Sequence, residues 1–259
     1  MATSDAPISI GRVVLIVRDL ARMAEYYEKV IGLGRIDRDG ETALLGANGR
    51  VLIELRQDRA AQVAPGDAGL FHTAFLLPSR GALGAWLGKF SDLGGRLDGA
   101  SHHGVSEALY LNDPEGNGIE IYRDLPRETW VRDGDRIEMV TKPLDLQALR
   151  RDAGQWRGAP EDMVIGHVHL RVGDVAQAAE FIRGQIGMTQ TFEVPAARWF
   201  GAGGYHHHLA ANEWQSKGAG PRLDGAAGLA SVELLADPGT LTPGRLVDPW
   251  GTEFTVTTA

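Results

Sequence analysis

Eight histidines carry most of the chemical potential of this chain, because it has no cysteine to compete with them. Without thiols there are no disulfides, thiolate ligands or cysteine nucleophiles, and a divalent metal would have to be held by imidazole and carboxylate. His72 and His167 each stand in an apolar run, FHTAFLL and IGHVHLRV, and His169 shares a face with His167 by strand alternation. Glu120 lies between isoleucines in GIEIY. Facing inward without a cation, such a carboxylate would cost on the order of several kcal/mol, so an inward Glu120 implies a partner. His206, His207 and His208 are consecutive, and His102 and His103 shortly precede Tyr110. Imidazole titrates near neutral pH without any help, which suits the same residues to general acid–base work.

The elements that must position these groups come from a duplication. Residues 10–33 and 165–188 align without a gap, with 11 of 24 positions identical. A second echo joins DPEGNGIE (113–120) to DPWGTEFT (248–255); the Asp-Pro-x-Gly in each is turn chemistry. Each long repeat opens with an apolar strand. Asp19 or Asp174 follows at a helix N-cap, and Gly32 or Gly187 closes the helix. Strands are predicted next over 41–45 and 51–55, and in the second copy over 199–200 and 205–209. A further βαβββ unit starts at Phe71, with a helix over 80–93 and strands near 108–111 and 118–122. His72 and His167 thus occupy equivalent positions of related units. A fourth unit starts near Leu229, but Ser231 to Thr255 spans 24 residues where His72 to Glu120 spans 48, so about a helix and a strand are missing. The reading is an α+β chain of four βαβββ modules, the last truncated, forming two half-barrel sites. Its expected divisions are a domain over 1–123, a charged connecting arm over 124–162 and a second domain over 163–259.

Bulk composition narrows the partners. The net charge of −8 argues against nucleic acid or an anionic membrane. The start, MATSDAPISIGRVV, does not read as a signal peptide, and no apolar run reaches the roughly 20 residues of a bilayer span. The cytoplasm is the expected compartment. Exposed half-barrel sheet edges leave room for a homodimer.

The stretch SHHGVSEALY (101–110), running into DPEGNGIEIY, resembles the Asp-His-x-Val-Ser…Tyr…Asp-Pro-x-Gly…Glu signature of ring-cleaving enzymes in the vicinal oxygen chelate superfamily. That superfamily also holds glyoxalase I and the bleomycin-resistance proteins. GYHHH (204–208) followed by Asn212-Glu-Trp214 resembles its bacterial catechol-2,3-dioxygenase subgroup. The resemblance covers nearly the whole chain. It implies half-barrels, each from two modules, with a divalent metal held by residues of the first and last strands.

The candidates at those places are Arg12 and Glu54, His72 and Glu120, His167 and one of His206 to His208, and Ser231 and Thr255. Pairing modules one and two would set a guanidinium beside the metal; pairing three and four would supply no carboxylate. Pairing two and three gives two histidines and a carboxylate, the composition suited to non-heme Fe(II) with open positions. The inner pairing is therefore expected, against the usual extradiol layout of one with two and three with four. The expected ligands are His72, Glu120, His167 and His207. Alignment of GANG (46–49) with GAGG (201–204) favours His207 for the inward face, whereas counting back from Asn212 favours His208; whichever is not a ligand is open to acid–base work. The resemblance gives His103 with Tyr110 the acid–base role, with His208 as a further catalytic candidate. Arg12 and Glu54 are expected to pair in the other half-barrel.

The implied activity is extradiol cleavage of a catechol-type aromatic diol by dioxygen, with Fe(II) as cofactor and Mn(II) able to replace it. Two alternatives stand beside it. One is a glyoxalase-like metal-dependent isomerase or lyase, in which four protein ligands to Zn or Ni are normal; the other is a metal-free, resistance-type protein that binds a small planar ligand.

Overall fold

Both long repeats fold as their capping residues demand, and they share an irregularity that the pattern does not announce. The computed structural model describes residues 5–64 and 66–259. Module one runs β1 (Ile8–Val17), α1 (Leu20–Tyr26), β2 (Gly34–Asp39), β3 (Thr42–Ala47) and β4 (Arg50–Gln57). Module two runs β5 (Gly69–Leu76), α2 (Arg80–Asp92), β6 (Gly99–His102), β7 (Ser106–Asn112) and β8 (Gly118–Asp124). The arm contributes β9 (Arg132–Asp133), β10 (Arg136–Ile137), β11 (Lys142–Pro143) and α3 (Leu146–Arg151). Module three is β12 (Val164–Arg171), α4 (Val175–Phe181), β13 (Thr189–Val194), β14 (Ala197–Gly201) and β15 (Leu209–Asn212). Module four has β16 (Gly228–Ala236), β17 (Gly244–Val247) and β18 (Glu253–Thr258), without a helix.

The Asp19 carboxylate accepts the Arg22 N–H, and Asp174 accepts those of Ala176 and Gln177. Both helices then widen into one π-helical turn, Tyr27–Ile31 and Ile182–Ile186, and end on left-handed Gly32 and Gly187. A Cβ on Gly32 would fall 2.7 Å from the Trp156 ring and 3.0 Å from the Ala159 nitrogen, while at Gly187 nothing lies within 4 Å. Gly187→Ala is therefore expected to cost only the left-handed backbone term, about 1–2 kcal/mol. Gly32→Ala must cost more, because the arm segment carrying Trp156 has to move. Urea unfolding of the two variants measures the difference; equal losses would mean that the arm yields freely.

Two sheets result. A seven-stranded sheet has the order β17-β18-β16-β1-β4-β3-β2, and a nine-stranded sheet the order β11-β6-β7-β8-β5-β12-β15-β14-β13. Modules one and four thus share one sheet, and modules two and three the other. The opening strand of each module is strongly apolar and sits inside its sheet, where β1 pairs antiparallel with β16 and β5 with β12. Alternation sorts the side chains. Phe75, Ile121, Val168 and Leu170 join Val13, Leu15 and Ile53 in one core shared by the two sheets. His72, Ala74, Tyr110, Glu120 and His167 take the opposite face of the nine-stranded sheet.

The corresponding face of the other sheet is closed by charge. Arg12 lies 2.9 Å from Glu54 and 3.6 Å from Glu233, and Arg56 donates to Glu54 at 2.7 Å. The arm is more than a connector. Its β11 pairs with β6, and its Trp130 and Ile137 form a small core with Val105 and Tyr205. Among the described residues, no helix is long and apolar enough to cross a membrane.

Candidate metal centre

Three adjacent strands, β8, β5 and β12, bring Glu120, His72 and His167 together. Glu120 and His167 both stand in register with Ala74, whose methyl group leaves the space between them open. His72 lies two residues earlier on the same face. The Glu120 Oε2 is 3.0 Å from His72 Nε2 and 3.2 Å from His167 Nε2, and the two nitrogens are 3.3 Å apart. Ligand atoms about 2.1 Å from one ion lie about 3.0 Å apart at a right angle and about 3.4 Å apart at the tetrahedral angle. The triangle therefore has the size of one face of a metal's coordination shell. Two imidazole nitrogens and a carboxylate oxygen converging at this distance supply three lone pairs, and a single cation satisfies all of them.

All three side chains are buried. Loss of water alone would raise the Glu120 pKa, but His167 and His72 beside it hold the carboxyl well below its usual range. Burial pulls His167 down to about 4 despite the attraction of Glu120. At neutral pH the set is a carboxylate with an unprotonated His167, which is the ligating form. His167 Nδ1 is buried without a hydrogen-bond partner. Its ring is oriented by packing instead, 4.9 Å from the Tyr122 ring and 4.1 Å from that of His207.

The centre lies at the base of a cavity of about 530 Å³. Phe71, Trp199 and Trp214 form one wall, and Met139 and Val140 of the arm form another. His169 stands opposite His72 in register, and its Nε2 accepts from the Asn212 amide at 3.0 Å. On another wall His103 Nε2 is 2.7 Å from the Tyr110 hydroxyl, and its Nδ1 is 2.7 Å from the Val140 carbonyl. A carbonyl only accepts, so Nδ1 carries the proton and a neutral His103 accepts at Nε2 from Tyr110. Burial and the nearby Glu120 charge push the Tyr110 pKa well up, keeping the phenol protonated. His102 accepts the Gly104 N–H and takes no place in the cavity lining.

The triple histidine departs from expectation. A strand over 205–209 is predicted, yet β15 begins only at Leu209, and residues 203–208 form an irregular turn through left-handed Gly203 and Gly204. Strand alternation therefore does not apply, and all three imidazoles are buried. The His207 ring reaches the cavity beside His167, but it is not among the three residues whose ligand atoms lie within 4.8 Å of one another. The structure thus brings together three of the four expected ligands and places His207 in the wall next to them. His208, expected to be catalytic, does not line the cavity. Its Nδ1 accepts the Ala202 N–H at 3.2 Å, and its ring packs 4.7 Å from that of Tyr205.

Burial, reinforced by His206 and His167, pulls the His208 pKa down to about 3. The folded chain therefore resists protonating a group that titrates near 6.5 once unfolded. Between those values the unfolded state binds more protons, so this contribution to stability is full above about pH 6.5 and is lost as the pH falls toward 3. Urea midpoints are expected to drop over that range. His208→Asn, whose amide oxygen can still accept from Ala202, should flatten the slope; an unchanged slope would assign the acid sensitivity to other groups.

The sequence did not single out the arm residues of the cavity wall or Asp124, and it named His206, the partner of Asp124, only as one of three alternatives for an inward histidine. The isolated signal for the latter pair was the histidine run itself.

Comparison with known proteins agrees with this architecture. The sequence profile of the Glyoxalase/Bleomycin resistance protein/Dioxygenase superfamily matches residues 9–121 and 164–238. The catechol-2,3-dioxygenase of Bacillus subtilis (strain 168) is 40% identical over 228 residues, covering 85% of this chain and 80% of that one. The fold is shared with a crystal structure from Bacillus subtilis subsp. subtilis strain 168, provisionally named a dioxygenase (13% identity, 96% of this chain, 84% of that one, TM-score 0.62). It is also shared with glyoxalase I of Zea mays (17% identity, 97% and 92% covered, TM-score 0.56). With four modules arranged in two half-barrel sheets and a profile match over both halves, the chain belongs to the glyoxalase/bleomycin resistance protein/dioxygenase superfamily.

Proposed function

We propose that this chain is an extradiol ring-cleaving dioxygenase for a catechol-type aromatic, using Fe(II) held by His72, Glu120 and His167. The observation that carries the reading is the convergence of those three ligand atoms beneath a cavity walled by Phe71, Trp199 and Trp214. The 40% identity to a protein named catechol-2,3-dioxygenase supports it. Iron in this set, or Mn(II) in its place, would supply the electron transfer between diol and dioxygen, with coordination positions left open for both.

The protein's own groups then have separable tasks. The aromatic walls bind the ring and exclude water. Benzene occupies a cavity of about 150 Å³, so 530 Å³ leaves room for ring substituents. Tyr110 donates its hydroxyl hydrogen bond to His103, leaving its oxygen lone pairs to accept from a diol hydroxyl and orient it. His207, in the wall beside His167, is placed to take a proton from the diol and return it as the ring opens.

A three-member cluster favours this chemistry over a glyoxalase-type isomerase, for which a fourth ligand is expected. A metal-free binding protein would leave three converging lone pairs with no cation between them. The test is elemental analysis of anaerobically purified protein, coupled to oxygen uptake and visible absorbance with a panel of catechols. Iron or manganese near one per chain, with dioxygen consumed in step with a yellow product, is expected. Zinc or nickel without oxygen uptake would overturn the reading in favour of an isomerase, and no metal even after reconstitution would leave a binding protein.

A further inference from the structure

His206 is fully buried behind His207, away from the cavity lining, and the mechanism above gives it no task. Its contacts are specific. His206 Nε2 is 2.8 Å from Asp124 Oδ1, and its Nδ1 is 2.7 Å from the Nδ1 of His207. The Tyr205 hydroxyl lies 3.1 Å from both Asp124 oxygens, and the Tyr122 hydroxyl is 2.8 Å from that of Tyr205.

Proton positions follow from the one group that only accepts. An Asp124 carboxylate has no proton to give, so Tyr205 donates to it and Tyr122 donates to Tyr205. By the same rule His206 donates from Nε2. In the uncharged form its Nδ1 has only a lone pair, and His207 then donates across the 2.7 Å contact from its own Nδ1. The nitrogen left for the cavity is Nε2, without a proton. In free histidine the Nδ1–H form is the less favoured tautomer, so the arrangement has to be imposed.

We propose that Asp124 and His206 are positioning residues that fix His207 as the Nδ1–H tautomer and present its Nε2 lone pair to the cavity. The inference rests on the reading of His207 as the proton-transfer group, and it deepens that reading by naming what sets its polarity. The logic is that of a buried acid orienting an imidazole, where exchanging the acid for its amide reverses the tautomer while leaving the geometry intact.

The test is nitrogen NMR of the full chain with labelled histidine, loaded with Zn(II) as a diamagnetic occupant, beside steady-state kinetics of the iron form. In the wild type, His207 is expected to show an N–H nitrogen at δ1 and a lone-pair nitrogen at ε2. Asp124→Asn can donate to His206, reversing the chain and moving the His207 proton to Nε2. Its kcat should fall about 10²-fold, the lower bound for losing a positioned acid–base group, with KM and iron content little changed. Tyr205→Phe, which keeps the carboxylate, should preserve the tautomer. A wild-type spectrum with the proton on Nε2 overturns the proposal, even if no variant folds. So does a loss of kcat in Asp124→Asn with the tautomer unmoved. A wild type that shows the Nδ1–H form but cleaves no diol would sink the proposed function and leave this inference standing. If zinc does not bind, the spectrum of the unloaded chain reads the same tautomer.

Discussion

Glu120→Gln is expected to leave a folded chain that no longer holds its metal and no longer turns over an aromatic diol. The glutamine keeps the shape and removes the only anion of the cluster. Two neutral imidazoles alone hold a divalent ion poorly, so affinity should fall at least about 100-fold, beyond the roughly 10- to 100-fold cost of losing an outer-shell partner. Stability of the metal-free chain should also fall somewhat: His167 and His72 hold the Glu120 carboxyl below its usual range, so the fold favours the carboxylate and a neutral amide forfeits that contribution. Thermal melts with and without Fe(II) read both effects. Metal at 100 times its Kd should stabilise the wild type by about 2.7 kcal/mol, and the variant by almost nothing. A variant that still gains from iron would remove Glu120 from the ligand set.

The cluster was legible because its parts obey regular rules. His72 and His167 fall at the same place in two repeats, while Glu120 and the shared half-barrel came from what the family resemblance implies about the first and last strands of each module. The nine-stranded sheet of modules two and three has that pairing. What lay beyond those rules was harder. The stretch from Tyr205 to His208 reads as a strand, but Gly203 and Gly204 take left-handed conformations and Tyr205 is drawn into a small core with Trp130 and Ile137 of the arm. That packing is tertiary, and no period in the local sequence encodes it. The arm itself looks like a polar connector; only the pairing of Lys142–Pro143 with Ser101–His102 brings Met139 and Val140 over the cavity. The truncation of module four was visible as a shortened spacing. The ion pairs that close its shared sheet face were visible only through Arg12 and Glu54, since Glu233 needs the bulged register of β1 against β16 to reach them.

His207→Gln separates the two metal chemistries that the sequence left open. If His207 serves proton transfer from the cavity wall, the variant should retain its iron and lose about 10²- to 10⁴-fold in kcat, the range for removing a positioned acid–base group. KM should change less, because the diol is held mainly by the metal and the aromatic walls. If His207 is instead a fourth ligand, iron content and turnover must fall together, and the isomerase alternative regains its footing. The geometry argues for the first outcome. His207 Nδ1 is already engaged by His206, and its ring packs tilted against that of His167, with centroids 4.1 Å apart and planes at 49°, which buttresses a ligand. Loss of that ring will loosen His167 somewhat, so a modest fall in iron affinity accompanies either outcome. The discriminating quantity is turnover per bound iron: it collapses if His207 moves protons, and holds if His207 merely binds the metal.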